Sequence, residues 1–320
     1  MTVATLPTVK PADDAAIAEA AQVLRRGGLV AFPTETVYGL GADATNGRAV
    51  ARVFEAKARP QFNPLIVHVR DRSEAERYGE FIPLARRLAD AFWPGPLTLV
   101  LRRTPDCRLS DLVSAGLDTV ALRVPSHPVA VGLIAAAGLP IAAPSANLSG
   151  RITATSAAHV AQSLGTGVDL ILDGGATPLG LESSVVGFAG AQPILLRAGA
   201  ITRERLEAVA GPLAAPDDAS VQSPGQLASH YAPHAALRLN AHGAGSGETL
   251  LGFGPSAPAG ALNLSPSGDL REAAANLFAM LHELDARRAK SVAVMPIPRT
   301  GLGEAINDRL ERAAAPREEP

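Results

Sequence analysis

Residues 28–41 constrain the fold of this chain more than any other stretch. Gly28-Leu-Val-Ala-Phe32 is an apolar run too short for a helix, and it leads directly into Pro33-Thr-Glu-Thr-Val-Tyr-Gly-Leu-Gly41. An apolar run without alternation suits a strand covered on both faces, so the chain must place helices on either side of a sheet. The hydroxyls of Thr34 and Thr36, the Glu35 carboxylate and the Tyr38 phenol then arrive at the strand's carboxyl end, where open α/β sheets bind ligands. A strand followed by an ordinary turn with two glycines fits the same letters, so this segment alone leaves both readings open.

The surrounding chain repeats the arrangement. Asp13 or Asp14 can cap an amphipathic helix to about Arg26, ended by Gly27-Gly28. Asn46 can cap a second helix from Arg48 to about Ala58, with Pro60 marking its end and Lys57 and Arg59 placed there. Those two cations either complement the helix dipole or face a ligand. Leu65–Val69, Leu97–Leu101 and Thr119–Val124 read as further buried strands. Arg123, inside the last of them, either sits at the surface of an edge strand or, if buried, needs an anionic partner, an internal carboxylate or a bound one. Leu139–Gly150 delivers Ser145, Asn147 and Ser149 from another strand, Ser156 begins a helix, and Glu182–Val186 and Ile194–Gly199 bring Ser183 and Arg197.

At 320 residues the chain suggests two domains. A first domain is expected over residues 1–208, a linker or lid over 209–245, and a small α/β domain over 246–320. Gly211–Gln226 carries the Pro, Ala, Asp, Ser and Gly of a connector, and Ser229-His230-Tyr231-Ala-Pro233-His234 is unusually rich in aromatic and imidazole groups for a tether. Pro233 disfavours a helix that would bring His230 and His234 together as metal ligands. The final unit reads as strands Thr249–Phe253 and Ser291–Met295 with helices Asp269–Arg288 and Leu302–Ala313, and it offers no catalytic cluster.

Composition narrows the function. The formal net charge is -2, which provides no global basic field for nucleic acid. One cysteine, Cys107, excludes intrachain disulfides and cysteine-rich zinc sites. The amino terminus lacks a signal-like segment and no apolar stretch approaches the roughly 18 residues of a membrane span, so a soluble, cytoplasmic protein without membrane partners is expected. Only Lys10, Lys57 and Lys290 are lysines among 29 lysines and arginines. A compact ammonium at position 57 suits a point contact with phosphate.

Taken together, Pro33–Gly41, Lys57-Ala-Arg59-Pro60, Asn63-Pro-Leu-Ile-Val-His68, Trp93-Pro-Gly-Pro-Leu-Thr98, Arg123-Val-Pro-Ser-His127-Pro, Pro144-Ser-Ala-Asn-Leu-Ser-Gly150 and Glu182-Ser-Ser-Val-Val186 resemble the YrdC-like family in order and spacing. The resemblance spans about residues 10–208, and Ser223-Pro-Gly225 with His230-Tyr-Ala-Pro233 is similar to the family's long, two-domain form. It implies a YrdC-like twisted mixed α/β sheet flanked by helices, with a smaller Rossmann-like α/β domain after it. It also implies synthesis of L-threonylcarbamoyl-AMP and pyrophosphate from L-threonine, bicarbonate or CO2 and ATP, with Mg2+ accompanying the nucleotide. The product would pass to a downstream transferase that modifies tRNA beside the anticodon, without a stable nucleic-acid complex here.

Carried onto this chain, the resemblance makes Lys57 and Arg59 the catalytic cations. Asn63, Thr119, Ser145, Thr153, Arg197 and Tyr231 join Arg59 at ATP, and Thr36, His68, Arg123, the backbone of Ala143 and Ser183 surround threonine. No protein side chain is expected to hold the metal. Ala58 departs from the family's usual glycine and would be strained at positive φ. Gln226-Leu-Ala-Ser229 departs from a usually basic segment. Two other functions compete: carbamoyl transfer in hydrogenase maturation, whose zinc-binding segments one cysteine excludes, and a non-catalytic RNA-binding YrdC-like module.

Overall fold

The computed structural model describes residues 7–60, 63–216 and 230–316. Its larger sheet is built from β1 (Val9–Pro11), β2 (Val30–Pro33), β3 (Tyr38–Asp43), β4 (Ile66–His68), β5 (Leu97–Arg102), β6 (Thr119–Arg123), β7 (Ile141–Ala142), β8 (Leu170–Asp173), β9 (Ser184–Ala189) and β10 (Gln192–Arg197). Among the described residues these lie in the order β1-β8-β2-β3-β7-β4-β6-β5-β9-β10. Pairing is mixed: β4 runs parallel to β6 and β5 to β9, while β3 is antiparallel to both β2 and β7. This is the twisted mixed sheet that the resemblance implies.

The helices of this unit are α1 (Asp14–Arg25), α2 (Gly47–Ala56), α3 (Arg72–Ala75), α4 (Pro83–Phe92), α5 (Asp111–Ser114), α6 (Pro128–Ala137), α7 (Ala157–Leu164) and α8 (Arg203–Ala210). Their starts follow the sequence signals. Asp13 caps α1 by accepting from Ala16 N, Asn46 caps α2 from Arg48 N and Ala49 N, and Ser156 caps α7 from His159 N. On one face, α1 and α6 bury Ala20, Leu24, Leu133 and Ile134 against Val30, Phe32 and Leu170. Each fully buried leucine there contributes about 1.5–3 kcal/mol. The opposite face is covered chiefly by α2, α4, α5 and α7 around Val53, Leu65, Leu88 and Val160.

Residues 38–43 are not the ordinary turn that their two glycines also fit. They form β3, and the glycines there serve packing: a Cβ at Gly41 would meet Phe32 at 2.8 Å and Ile141 at 2.9 Å. The glycines that resemble a turn are therefore the residues that let β2, β3 and β7 approach closely.

The second unit contains β11 (Ala236–Arg238), β12 (Thr249–Gly252), β13 (Leu262–Asn263) and β14 (Ser291–Val294), with α9 (Leu270–Ala286) and α10 (Leu302–Ala314). Its sheet is all parallel in the order β11-β14-β12-β13. Asp269 caps α9 as expected. One boundary differs: residues 236–238, read as part of the connecting segment 209–245, form β11 in this sheet. Three residues with both ends exposed carry no apolar run from which to read a strand. Ser223–Ser229 of that segment lies outside the described residues.

The two units meet along a packed seam. Ile152, Leu181 and Tyr231 join Leu277, Phe278 and Leu281 in one core. Gly180 allows the contact, because a Cβ there would lie 2.4 Å from Ala274 O of α9 and its φ is +66°. Arg203 pairs with Glu304 at 2.6 Å, and His282 Nε2 lies 3.1 Å from Thr153 O.

Candidate functional site

A narrow cavity opens where β2, β4 and β6 end, where β9 begins, and where residues 230–231 cross over them. Its walls include Thr36, Arg59, His68, Arg123, Ala143, Ser145, Ser183, Arg197 and Tyr231, all predicted from sequence.

Parallel pairing of β4 with β6 sets His68 beside Arg123. Arg123 is 3 % exposed; its Nε donates to Gly95 O at 3.3 Å and its Nη1 to Thr36 Oγ1 at 2.9 Å. Its Nη2 lies 2.7 Å from Glu35 Oε1, an ion pair whose angle is poor for a hydrogen bond. Burial opposes ionisation of Glu35, but Arg123 and backbone N–H groups outweigh it and hold its carboxyl below the usual range. The anion that an arginine inside a strand demands is therefore supplied first by the protein itself. His68 is pushed to about 3 by burial and by Arg123, so its imidazole is neutral, and its Nδ1 has no partner.

Thr34 builds the turn between β2 and β3. Its Oγ1 donates to Val37 O at 2.7 Å and accepts from Thr36 N and Val37 N. Thr36 Oγ1 then sits 2.7 Å from Thr34 Oγ1 and in reach of Arg123. Tyr38 lines the cavity, but its hydroxyl donates to Gly175 O at 2.8 Å, and burial raises the phenol to about 12.

The end of α2 supplies the cations. Ala58 N bonds Glu55 O at 3.0 Å and Arg59 N bonds Phe54 O at 2.9 Å, a Schellman pattern whose left-handed position falls on Ala58 at φ +47°. The conformation that makes alanine a departure is therefore the one adopted. The motif turns Lys57 and Arg59 inward. Lys57, 1 % exposed, donates from Nζ to Ser145 O at 2.6 Å and to Asn147 O. Burial, then Arg59, pushes its ammonium well below the usual lysine range. Arg59 donates to Asn63 O at 3.2 Å and Pro64 O at 3.0 Å; burial and Arg197 bring it to about 10 against an opposing effect of Tyr231, leaving it cationic at neutral pH.

On the other wall Arg197 donates through Nε and Nη2 to Ser183 O and through Nη2 to Ser183 Oγ, whose hydroxyl also meets Thr98 Oγ1 at 2.7 Å. Glu182 accepts from Thr153 Oγ1 at 2.9 Å and faces Arg309 Nε of α10 at 3.1 Å. Above them His230 and Tyr231 pack edge to face at 4.0 Å between centroids. Tyr231 is 1 % exposed with φ +63°, and burial, then Glu182, raises its phenol to about 12.

Four predicted residues stand off the cavity wall. Lys57 lies behind Ser145, held by the two carbonyls. Thr153 lies behind Glu182. Asn63 is buried with both side-chain polar atoms unpartnered. Thr119, half-buried at the start of β6, pairs with Arg102; four strand residues place it about 13 Å from Arg123, at the Asn63 end. Glu35, Thr98 and Glu182 occur within the sequence motifs without a role at ATP or threonine, and nothing in the sequence singles out Arg309. Glu35 and Glu182 stand beside Thr36 and Ser183 in sequence and Thr98 lies within a quoted motif, whereas Arg309 comes from a helix whose pattern is otherwise amphipathic.

Among the described residues no group of three or more His, Cys, Asp or Glu side chains is arranged to hold a metal. Glu35 is committed to Arg123 and Glu182 to Arg309 and Thr153, so the residues at hand form no carboxylate cage for Mg2+. No described helix is long and apolar enough to cross a membrane.

Fold and site define a two-unit α/β protein enclosing a cavity lined by buried arginines and small hydroxyls, a setting for small anionic molecules. The chain belongs to the Sua5–YciO–YrdC family: the family model described as "Telomere recombination" matches residues 22–199, and the model described as "Threonylcarbamoyl-AMP synthase, C-terminal domain" matches 201–315. It is 43% identical to the threonylcarbamoyl-AMP synthase of Bacillus subtilis over 95% of this chain and 94% of that one. The Pyrococcus abyssi threonylcarbamoyl-AMP synthase is 39% identical, over 92% and 93% of the two chains. The crystal structure of Pyrococcus abyssi Sua5 complexed with L-threonine superposes with a TM-score of 0.87 at 37% identity, covering 97% of each chain.

Proposed function

We propose that this protein is a nucleotidyltransferase that makes L-threonylcarbamoyl-AMP and pyrophosphate from L-threonine, CO2 or bicarbonate, and ATP. The observation that carries the reading is one buried cavity joining a small polar pocket, formed by Thr36, neutral His68, Arg123 and Ser183, to the two guanidinium groups of Arg59 and Arg197. The names of the relatives and the L-threonine in the Pyrococcus abyssi structure support it.

In this reading Arg123 receives the threonine carboxylate while staying tethered to Glu35, and Thr36, His68 and Ser183 read the amino acid's hydroxyl and carboxylate. The threonine amine captures CO2, releasing a proton and forming a carbamate. A carbamate oxygen attacks the α-phosphorus, the bond from that phosphorus to the bridging oxygen breaks, and pyrophosphate leaves. Arg59 and Arg197 face the charge that develops, and a pre-arranged buried cation is worth more there than in water. Lys57 joins them by exchanging one carbonyl acceptor for a phosphate oxygen. Asn63, with an unpaired amide, and Thr119 extend the site toward the nucleoside, with Ser145 and Thr153 along its side. Tyr231 and His230 contact the nucleotide and exclude water. Mg2+ would accompany ATP and help neutralise its phosphates, without a carboxylate cage from this chain.

The product's mixed anhydride calls for a transferase that places the threonylcarbamoyl group on tRNA, in the cytoplasm. A passive RNA-binding role would place its cations on an open face; the arginines that define this cavity are buried. The test is pyrophosphate release from ATP, Mg2+ and bicarbonate with and without L-threonine, with serine as competitor. Threonine-dependent release is expected. A folded sample that releases none, yet binds RNA with steep salt dependence, would overturn the reading.

A further inference from the structure

We propose that Arg309, on α10 of the second unit, is a positioning residue for the active site: it holds Glu182 and Tyr231 in the arrangement that receives the nucleotide. The proposal deepens the adenylate-forming reading and rests on it for its kinetic arm.

Arg309 is completely buried. Its Nε donates to Glu182 Oε2 at 3.1 Å across the seam, and its Nη1 donates to Asp308 Oδ2 at 2.6 Å. Its guanidinium carbon lies 5.4 Å from the Tyr231 ring centroid, in cation–π range. One side chain from the second unit thus touches two residues that line the cavity, Glu182 and Tyr231. Glu182 passes the constraint to Thr153 through its Oε1.

Tyr231 needs such a constraint. A non-glycine residue at φ +63° is strained and persists only where its surroundings determine it. Those surroundings are Arg309 on the ring, Phe278 of α9 at 5.5 Å, His230 at the edge, and the Ala232 N–H bonded to Gly150 O at 2.9 Å. Two of these come from the second unit. Arginine suits the position because its planar fork directs separate N–H groups at Glu182 and Asp308 while presenting a flat face to the ring. An ammonium has donors enough but neither a fixed fork nor a flat face. The remaining Nη2 is buried without a partner, a cost accepted at a site that needs the fork and the face together.

A fold-stabilising ion pair across the seam would show the same contacts, so the test separates the two. Arg309→Lys keeps the charge, and Arg309→Met keeps the bulk. Amide hydrogen exchange is followed by mass spectrometry on the ligand-free protein, and pyrophosphate release is measured while ATP and threonine are varied separately. The expected result in either folded variant is Ala232 exchange faster by about tenfold or more with α9 and α10 still protected. The ATP KM then rises by about tenfold while the threonine KM stays within about twofold. Unchanged exchange at Ala232 together with an unchanged ATP KM overturns the proposal. Loss of protection throughout the second unit in Arg309→Lys also overturns it, because Arg309 is then a residue of the fold alone. If Arg309→Met does not fold, Arg309→Lys decides. Absence of pyrophosphate release in the unaltered protein sinks the adenylation reading, while the exchange arm still reports whether Arg309 holds Tyr231.

Discussion

Replacing Ala58 by glycine should make the protein more stable, although the substitution removes a methyl group from a helix end. Ala58 holds φ +47° at the left-handed position of the Schellman motif that closes α2, and its methyl is exposed, so its loss uncovers no core. The left-handed conformation costs an L-residue about 1–2 kcal/mol. Glycine removes that strain but gives the unfolded chain more freedom, which returns about 0.4–1 kcal/mol. The net expectation is about 0.5–1 kcal/mol of stabilisation, read as a higher urea midpoint with unchanged slope. Turnover should stay within about twofold, because the bonds from Arg59 N to Phe54 O and from Ala58 N to Glu55 O survive and keep Lys57 and Arg59 turned inward. Ala58→Val provides the opposite control, since a β-branched residue tolerates this φ poorly. A glycine variant that is less stable, or a valine variant that is equally stable, would refute the strain argument.

Three further outcomes follow from the site. Lys57→Met should lose pyrophosphate release and also about 2–6 kcal/mol of stability, because the carbonyls of Ser145 and Asn147 are left buried without a donor; an unchanged melting curve would contradict that role for the ammonium. Arg123→Ala should raise the threonine KM and, by leaving Glu35 buried and unpaired, cost about 3–5 kcal/mol. Adding Glu35→Gln should restore the stability but not the KM, and an unchanged KM in the single variant would end the carboxylate role of Arg123. Acid should weaken the fold early. His68 has its pKa lowered from 6.5 to about 3, so between those values the unfolded chain takes up a proton that the folded chain refuses. This stability is present above pH 6.5 and falls by about 1.4 kcal/mol per pH unit below it, or about 2 kcal/mol by pH 5. His159, His230 and His282, also depressed by burial, act in the same direction, and Glu35 and Glu182 add their loss only at lower pH. Urea midpoints that stay flat from pH 7 to 5, or that His68→Gln leaves equally steep, would contradict a neutral buried imidazole.

Much of the first unit was legible because its signals are local. Asp13, Asn46, Ser156 and Asp269 cap the helices they were read to start, since a side chain that accepts from an N–H two or three residues on needs no tertiary partner. Short apolar runs located β2, β4, β5, β6, β12 and β14 for the same reason. Strand β11 was not legible, because three residues exposed at both ends gain their order only from β14 beside them. Nor was β3, whose glycines look like turn residues until Phe32 and Ile141 are placed against them.

By itself the sequence determined which chemical groups are available and in what order: strand ends carrying Thr36, His68, Arg123 and Ser183, a helix end carrying Lys57 and Arg59, and a His-Tyr pair after a connector. Only the tertiary structure decided how those groups are spent. It gave Arg123 an internal carboxylate, occupied the Lys57 ammonium with two carbonyls, made His68 neutral, and brought Arg309 from the far end of the chain against Glu182 and Tyr231. The physical reason is that capping and burial patterns act over a few neighbouring residues. Ion pairs, desolvation and ring contacts depend instead on which distant segments share one dry volume, and that is set when the two units pack together.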